Sequence, residues 1–492
     1  MTARFLRARF LLPMDDGIGR DTRISDGYVL WSGDELIEVG AFDGLVAERL
    51  TATWGERLEV VTSEGATFFT TDLCARFPCH DGVLLPAFVK AHGHDHEPPI
   101  IGLCRDLPLT AWLDGVVNPF TTFMKEQRDV LADRLGRSPQ SVAYRKARLD
   151  DIWYGITSAM THHCNASKYY VDDLVASAEE AGTRLIAAIG SQDRFYAAHL
   201  LDTPDEALAR LDAAWEKHGA KPRIRIVPGP DQLFSNGPEM LVAQKRWGRE
   251  HDTLLHCHSS EEARTTAWFC DTFGMTPVAY AAELDILDDD TVLAHQVHST
   301  PADLDILAAT GTCIVHNPLA NTILGSGMPP VVEMIDRGIP LAVSTDGSGS
   351  ADNQNILAAA RLASQYQKAR LQDARVLSAQ QALELITVEP AKLLRIDAGV
   401  LAPGKAADIV LVDLSRPNLV PTRTINLVEN LIWATDGSEV RLVIGGGEVL
   451  RDGERYLTLD RAEILADVQI LSEAYDAWKA DAPLMSGTGA NQ

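Results

Sequence analysis

Histidine and aspartate side chains lie directly after several apolar runs of this chain, at spacings that suit a metal centre. His92 and His94 follow the apolar run 83–89, His258 ends a second run, and Asp346 follows a third. Imidazole nitrogens and a carboxylate bind divalent metals, and such an ion with one position open to water is a hydrolytic centre. We therefore predict one divalent ion on His92, His94, His258 and Asp346. Zinc is the first choice, and iron or manganese suits the same ligands.

The histidine pair at the start of this set depends on strand geometry. The apolar run predicts a buried strand over 83–92, and residues i and i+2 of a strand project to the same face. His92 and His94 would therefore direct both imidazoles to one point. A His-x-His pair alone is more often a surface or core pair than a metal site, so the prediction depends on the other positions.

Neighbouring polar residues leave more than one interpretation open. His256 shares a strand face with His258, and it either binds the metal or forms a hydrogen bond behind His258. His162 and His163 are consecutive, so at most one of them faces inward and the other packs structurally. Asp346 taken alone could cap a helix. The joint placement of these residues at successive strand ends favours the functional interpretation.

Eight apolar segments alternate with helix-like segments through the middle of the chain. Near-continuous apolar strands that alternate with helices predict an α/β fold, a (β/α)8 TIM barrel. The active sites of such barrels lie where the carboxyl ends of the strands meet. The predicted strands are 83–92, 155–161, 184–189, 223–227, 253–258, 291–295, 313–316 and 341–345, and helices are predicted at 203–218, 237–250, 260–273 and 301–309.

The two ends of the chain have another pattern. Short β-type stretches broken by glycine and aspartate occur before the barrel and again after it. We predict that both termini form one small β-sandwich domain. The predicted boundaries are 1–84 for its N-terminal part, 85–398 for the metal-dependent barrel, 399–460 for its C-terminal part, and 461–492 for a C-terminal helix and tail.

Charge and cysteine content limit the partners. The formal net charge of −25 argues against a nucleic-acid or membrane partner, since both attract basic surfaces. No uninterrupted apolar stretch approaches the ~20 residues that span a bilayer. The seven cysteines are scattered, and no CxxC pair occurs among them, which is typical of a reducing compartment. We expect a cytoplasmic protein whose partner is a small molecule.

Together these motifs resemble the amidohydrolase superfamily, and within it the aminohydrolase branch, which includes guanine, S-adenosylhomocysteine, 8-oxoguanine and pterin deaminases and triazine hydrolases. The resemblance covers nearly the whole chain. The segments that carry it are Leu85–His94, Asp106–Leu113, His256–Glu261, Ala294-His295, His316-Asn317-Pro318, Asn321, Leu324–Gly327, Ser344–Gly347 and Leu401–Asp408.

The resemblance implies a metal-dependent hydrolytic deaminase that releases ammonia from the C–NH2 carbon of a purine, a pterin or a similar N-heterocycle. It implies that Asp346 takes a proton from the metal-bound water and that His295 orients the resulting hydroxide. Glu261 donates a proton to the ring nitrogen beside the attacked carbon. Binuclear relatives carry a lysine or glutamate at the end of strand four. The segment 223–230 has no lysine, which implies a single ion.

Departures from the family pattern bear on the substrate. The segment Asp95-His96-Glu97 stands where small or apolar residues are usual, and its role stays open. Asp231 and Gln232 stand where adenosine-type members tend to have a histidine, which favours a free base, a pterin or another heterocycle. We predict that Trp112, His163 and Gln232 contact the substrate. A homodimer is expected by family analogy.

Two other functions are compatible with the same residues. A hydrolase of this fold could expel chloride, an alkylamine or an amide nitrogen, as triazine hydrolases do. Glu261 favours deamination, because a nitrogen leaving group needs a proton and chloride does not. A scaffold without activity is the other alternative, but such proteins lose a ligand or the acid, and this chain has both.

Overall fold

A computed structural model describes residues 2–69, 76–104 and 106–481. Within these ranges the strands form two sheets of four parallel strands and one larger sheet of nine. The strands are β1 (Ala3–Leu11), β2 (Ile24–Ser32), β3 (Glu35–Ala41), β4 (Leu58–Val60), β5 (His80–Pro86), β6 (Phe88–Lys90), β7 (Ile156–His163), β8 (Arg184–Ser191), β9 (Ile224–Pro230), β10 (Leu255–Ser259), β11 (Thr291–His295), β12 (Cys313–His316), β13 (Leu341–Val343), β14 (Ile409–Asp413), β15 (Val440–Gly445), β16 (Glu448–Asp452) and β17 (Arg455–Tyr456).

Helices separate most of the strands. In the described residues they are α1 (Gly44–Trp54), α2 (Leu109–Trp112), α3 (Asn118–Glu126), α4 (Arg128–Leu135), α5 (Pro139–Trp153), α6 (Val171–Ala181), α7 (Pro204–His218), α8 (Pro238–Glu250), α9 (Ala263–Phe273), α10 (Pro277–Glu283), α11 (Pro301–Thr310), α12 (Pro318–Ile323), α13 (Val331–Asp336), α14 (Ser348–Ala351), α15 (Ile356–Leu371), α16 (Ala379–Glu384), α17 (Val388–Leu393), α18 (Leu427–Trp433) and α19 (Arg461–Asp481). Several begin with proline in the first turn after a capping residue, such as Thr203 before α7 and Thr300 before α11, because proline has no amide hydrogen to leave unpaired there.

The two parallel sheets are joined at their edges. The first runs in the order β6-β7-β8-β9 and the second in the order β10-β11-β12-β13. The amide of His258 donates to the carbonyl of Asp231 at 3.1 Å and links β10 to the end of β9. At the opposite edges, Ser344 Oγ donates to the His92 carbonyl at 2.7 Å and accepts from the His92 amide at 3.2 Å. The carboxyl ends of the eight parallel strands therefore meet on one side of a mixed α/β chain.

The predicted strand over 83–92 is wrong as a single element. Residues up to Pro86 belong to β5, which pairs with β14 in the larger sheet. Only Phe88–Lys90 forms β6 beside β7. The break falls at Ala87, whose amide donates to Asp408, while the next amide, of Phe88, donates to Gly155. One apolar run therefore contributes strands to two different sheets. The local sequence pattern could not show this, because the pairing partners are remote in sequence.

Strands from both ends of the chain share the nine-stranded sheet. Its order is β17-β16-β15-β14-β5-β1-β2-β3, and β4 pairs with β1. The edge strand β3 also contacts the segment before β14, since Leu36 donates to Lys405 and Ala407 donates to Asp34. Trp31 of β2 is fully buried, and its Nε1 donates to the Gly447 carbonyl in the turn between β15 and β16. The sheet therefore curls until residues of its N-terminal and C-terminal parts meet.

The last described helix, α19, packs on the helices that follow β6. Tyr475 contacts the rings of Phe120 at 5.1 Å and Phe123 at 5.4 Å, and Trp478 lies 5.5 Å from Phe123. The remainder of the predicted tail, residues 482–492, lies outside the described residues. No helix in the described part of the chain has the length and apolar character needed to cross a membrane.

Candidate metal centre and active site

The candidate residues follow strand ends, and unusual backbone conformations direct two of them inward. His295 at the end of β11 has φ of 78°, and Asp346 after β13 has φ of 70°. Left-handed backbone is uncommon outside glycine and costs of order 1–3 kcal/mol per residue. Ser260 has φ of 51°, which turns the chain so that Glu261 enters the site and delays α9 to Ala263, three residues after its predicted start.

The four predicted metal ligands converge on one point. Nε2 of His94 lies 3.2 Å from Nε2 of His258, and Oδ1 of Asp346 lies 3.2 Å from Nε2 of His92 and 3.5 Å from Nε2 of His94. Ligand atoms around a tetrahedral zinc ion with bonds of about 2.0–2.1 Å are separated by about 3.3 Å. The distances between these atoms therefore match those between the ligands of such an ion.

The hydrogen bonds behind two of the rings determine which nitrogen carries the proton. Nδ1 of His94 donates to the His162 carbonyl at 3.0 Å. Nδ1 of His258 donates to the Asp231 carbonyl at 2.5 Å. A carbonyl oxygen can only accept, so each Nδ1 must carry the hydrogen and each Nε2 has a free lone pair. Two lone pairs 3.2 Å apart repel each other unless a cation lies between them.

Nε2 of His92 is also left without a hydrogen, because His256 holds the hydrogen of His92 on Nδ1. Nδ1 of His256 donates to the Val292 carbonyl at 2.9 Å, so Nε2 of His256 accepts from Nδ1 of His92 at 2.7 Å. Nε2 of His92 is then unprotonated, and it is buried without a hydrogen-bond partner among the described residues. Burial lowers the pKa of His92 and of His94 well below the ordinary value, so both rings are neutral. These residues fit a divalent cation.

His295 has the opposite arrangement. The side-chain amide of Asn321 donates to Nδ1 of His295 at 2.9 Å, so the hydrogen lies on Nε2. That Nε2 is 3.4 Å from Oε2 of Glu261 and 3.7 Å from Oδ2 of Asp346. His295 therefore presents a hydrogen-bond donor to the centre of the site, where the other three rings present lone pairs.

Glu261 is a buried carboxyl group beside the candidate centre. Burial, together with the negative charge of Asp346, raises the pKa of Glu261 well above the ordinary value. Asp346 also accepts a hydrogen bond from the Gly347 amide at 2.8 Å. A protonated Glu261 next to an acceptor carboxylate can supply a proton in the same site in which Asp346 can accept one.

A small cavity of about 30 Å³ opens over these residues. Two of the predicted substrate contacts, Trp112 and Gln232, line it. His163 is not among the described lining residues. It is fully buried, and its ring lies 5.4 Å from that of Tyr144.

Other polar residues of the site were not predicted as such. His96, Cys164, Tyr196 and Asp231 all line the cavity. The Tyr196 hydroxyl donates to Oδ2 of Asp231 at 2.5 Å. Cys164 and Asp231 come directly after β7 and β9, and His96 and Tyr196 lie in the loops after β6 and β8. These positions carried a signal, because polar residues after parallel strands reach the active-site face. Glu97 also lines the cavity and accepts from the Gly349 amide at 2.9 Å.

Comparison with known proteins decides the family. The sequence matches the amidohydrolase family over residues 83–450. It is 33% identical to a 5-methylthioadenosine/S-adenosylhomocysteine deaminase of Moorella thermoacetica over 396 residues, 79% of this chain and 86% of that one. It is 30% identical to a 5'-deoxyadenosine deaminase of Methanothermobacter thermautotrophicus over 413 residues, 83% and 88% of the two chains. The chain belongs to the amidohydrolase family.

Solved structures agree on the fold. An adenosine deaminase from Xanthomonas campestris with bound zinc superposes with a TM-score of 0.82 at 22% identity, covering 97% of this chain and 99% of that one. A guanine deaminase from C. acetobutylicum gives 0.75 at 16% identity, covering 91% and 100%. The prediction of a hydrolytic deaminase that acts on carbon–nitrogen bonds other than peptide bonds is confirmed by the family and by these relatives.

Proposed function

We propose that this enzyme removes the exocyclic amine of an aminopurine ring by hydrolysis, with one zinc ion held by His92, His94, His258 and Asp346. The observation that carries the proposal is the convergence of three unprotonated Nε2 atoms and one carboxylate beside the buried acid Glu261. A divalent cation at this point lowers the pKa of a water molecule to near 7 and so supplies the nucleophile.

The surrounding side chains divide the proton transfers. Asp346 accepts the proton of the attacking water, and Nε2–H of His295 orients that water by a hydrogen bond. Glu261 donates its proton to the ring nitrogen next to the attacked carbon, which makes that carbon more electrophilic. The proton that Asp346 took from the water then passes to the exocyclic nitrogen, which leaves as ammonia. The hydroxyl proton on the attacked carbon returns to Glu261 as the carbonyl forms, so both carboxyl groups regain their starting states. The burial of all three residues excludes bulk water, which strengthens each electrostatic interaction.

Two observations support a purine ring as the substrate. The relatives at 30% identity or more are named for adenosine derivatives, whose reacting part is a 6-aminopurine. Trp112, Leu113 and Gln232 line the small cavity, and an indole there gives a flat heterocycle an aromatic surface to pack on.

A panel assay with two variants tests the proposal. Ammonia release is measured on purine bases, their nucleosides, pterins and amino- or chlorotriazines. We expect release from an aminopurine, and loss of turnover by about 10²–10⁴-fold in Glu261→Gln with unchanged metal content. The matched control Glu283→Gln changes an exposed residue at the end of α10 and should retain full activity. Release of chloride or alkylamine with silence on purines would instead establish the triazine-type alternative.

We also propose that the chain forms a closed barrel and a small β-sandwich domain. The edge hydrogen bonds at His92 and His258 support a closed (β/α)8 barrel over 85–398. The contact of Trp31 with Gly447 supports a β-sandwich formed by 1–84 and 399–460, followed by the helix and tail of 461–492.

The six cysteines of the described ranges are free, which fits a cytoplasmic enzyme. A homodimer completes the proposal, and light scattering of the purified protein checks it.

A further inference from the structure

A second group of metal-binding side chains lies beside the first centre. One ligand atom each of His162, Cys164 and Asp231 lies within 4.8 Å of the others, and the same holds for His94, His96 and Cys164. Cys164 belongs to both sets. These residues lie at the end of β7 or in the loops after β6, β7 and β9, whereas the deaminase reaction proposed above uses Glu261, His295 and Asp346, which lie at or after the ends of β10, β11 and β13.

The histidines of this group are buried without partners. His96 is 1% exposed, and neither of its ring nitrogens has a hydrogen-bond partner among the described residues. His162 is fully buried, and its Nε2 lies 3.3 Å from Oδ1 of Asp231 without the alignment of a hydrogen bond. Leaving a buried polar atom unpaired costs about 1–3 kcal/mol. Each neutral ring has one nitrogen with a lone pair, so the unpaired rings beside Cys164 point to a ligand that accepts electron pairs.

We infer that His162, Cys164 and Asp231, with His96 nearby, bind a second divalent transition-metal ion, distinct from the ion of the first centre; their three ligand atoms lie within 4.8 Å of one another. One imidazole, one thiolate and one carboxylate, with a fourth position left to another donor, are a ligand set that zinc and cobalt(II) accept. The separation of 3.3 Å between His162 and Asp231 equals the distance between nitrogen and oxygen ligands of a tetrahedral ion at about 2.0–2.1 Å. On binding, the ion displaces the thiol proton of Cys164, which leaves to solvent.

Charge balance and position also support this site. The thiolate of Cys164 and the carboxylate of Asp231 together carry two negative charges, which a divalent ion neutralises. Asp231 is held on its other oxygen by Tyr196, and its carbonyl accepts from Nδ1 of His258. A second ion would therefore hold the residue that orients one ligand of the first centre, which is a positioning role for that ion.

Cobalt(II) reconstitution tests the second site without reliance on activity. Metal-free protein is reconstituted with excess cobalt(II), desalted, and examined for metal content and for the near-ultraviolet charge-transfer band that only a thiolate ligand produces. The first centre has no sulfur ligand, so this band reports on Cys164 alone. We expect two cobalt ions per chain and a strong band in the wild type.

Variants assign the band and separate the two proposals. Cys164→Ala should lose the band and bind one ion, and His162→Asn should weaken retention of the second ion. The control Cys313→Ala removes another buried cysteine, on β12, and should behave as wild type. One ion per chain without the band, or two ions without it, would overturn the second site while leaving the deaminase proposal intact. Protein that binds no ion at all would contradict both.

Discussion

Nε2 of His256 lies 2.7 Å from Nδ1 of His92, while Nδ1 of His256 donates to the backbone of Val292. His256 on β10 therefore links the Val292 carbonyl to His92, a proposed metal ligand that follows β6 of the other parallel sheet, and so fixes the orientation of the His92 ring. Its ring is completely buried, and burial lowers its pKa well below the ordinary value, so it acts as a neutral acceptor.

Substitution of this intermediary should weaken metal binding without removing a ligand. In His256→Leu the Nδ1–H of His92 loses its acceptor and the ring is no longer held in one orientation. We expect the affinity for zinc to fall by about 10–100-fold, as is usual when the partner of a metal-bound histidine is lost. Competition with a chromophoric chelator measures the change. His199→Leu, at an exposed histidine, is the control, and equal affinities of both variants would contradict the relay.

The amide of Asn321 determines which nitrogen of His295 carries the hydrogen. Asn321→Asp replaces a donor with an acceptor and should move that hydrogen to Nδ1, so that Nε2 no longer donates to the attacking water. We expect turnover to fall by about 10²-fold or more with unchanged metal content. Steady-state kinetics with metal analysis checks this. Asn430→Asp, at a partly buried asparagine of α18, should be near wild type; wild-type turnover in Asn321→Asp would refute the assignment.

Four charged residues are buried under the loop that carries His92. Lys90 lies 2.7 Å from Asp151, and Arg148 lies 2.5 Å from Asp95 and 2.8 Å from Asp151. All four are at most 2% exposed, and their formal charges sum to zero. The role of Asp95, which the sequence left open, is thus to complete this network.

Removal of one cation from the network should destabilise the fold. Arg148→Met leaves two buried aspartates with one cation, and we expect a loss of about 3–5 kcal/mol in the free energy of unfolding. The charge-balanced double variant Asp95→Asn with Arg148→Met should recover part of it. Urea unfolding measures both. A single variant within 1 kcal/mol of wild type would show that the network contributes little to stability.

Acid should destabilise the metal-free protein through its buried histidines. Burial lowers the pKa of His163 and of His316 to about 3, against about 6.5 in an unfolded chain. Between these values the unfolded chain binds protons that the folded chain does not. The free energy of unfolding therefore falls as pH decreases from about 6.5 towards 3. Urea titrations between pH 7 and 4 check this, and the double variant His163→Gln with His316→Gln should show a shallower slope.

Much of the site could be predicted because the residue types that bind metals and transfer protons can be recognised from short stretches of sequence. Histidines, a glutamate and an aspartate after apolar runs predicted a hydrolytic metal centre, and the order of runs predicted eight parallel strands. Seven of the eight strand predictions begin within two residues of the strands β7 to β13. The predictions of how individual side chains are positioned were less accurate than the predictions of which residues form the site. We predicted that strand alternation directs His92 and His94 to the same point. The strand β6 ends at Lys90, so the conformation of the loop after it brings the two rings together.

The sequence by itself determined the residue types, their order and the family, since all of these are properties of a linear pattern. The tertiary structure decided which nitrogen of each ring is free, because protonation depends on partners remote in sequence, such as Val292 for His256 and Asn321 for His295. It also placed His256 behind His92 and not behind His258. It gathered His96 and Cys164 beside Asp231, because closely packed strand ends place residues far apart in sequence within a few ångströms.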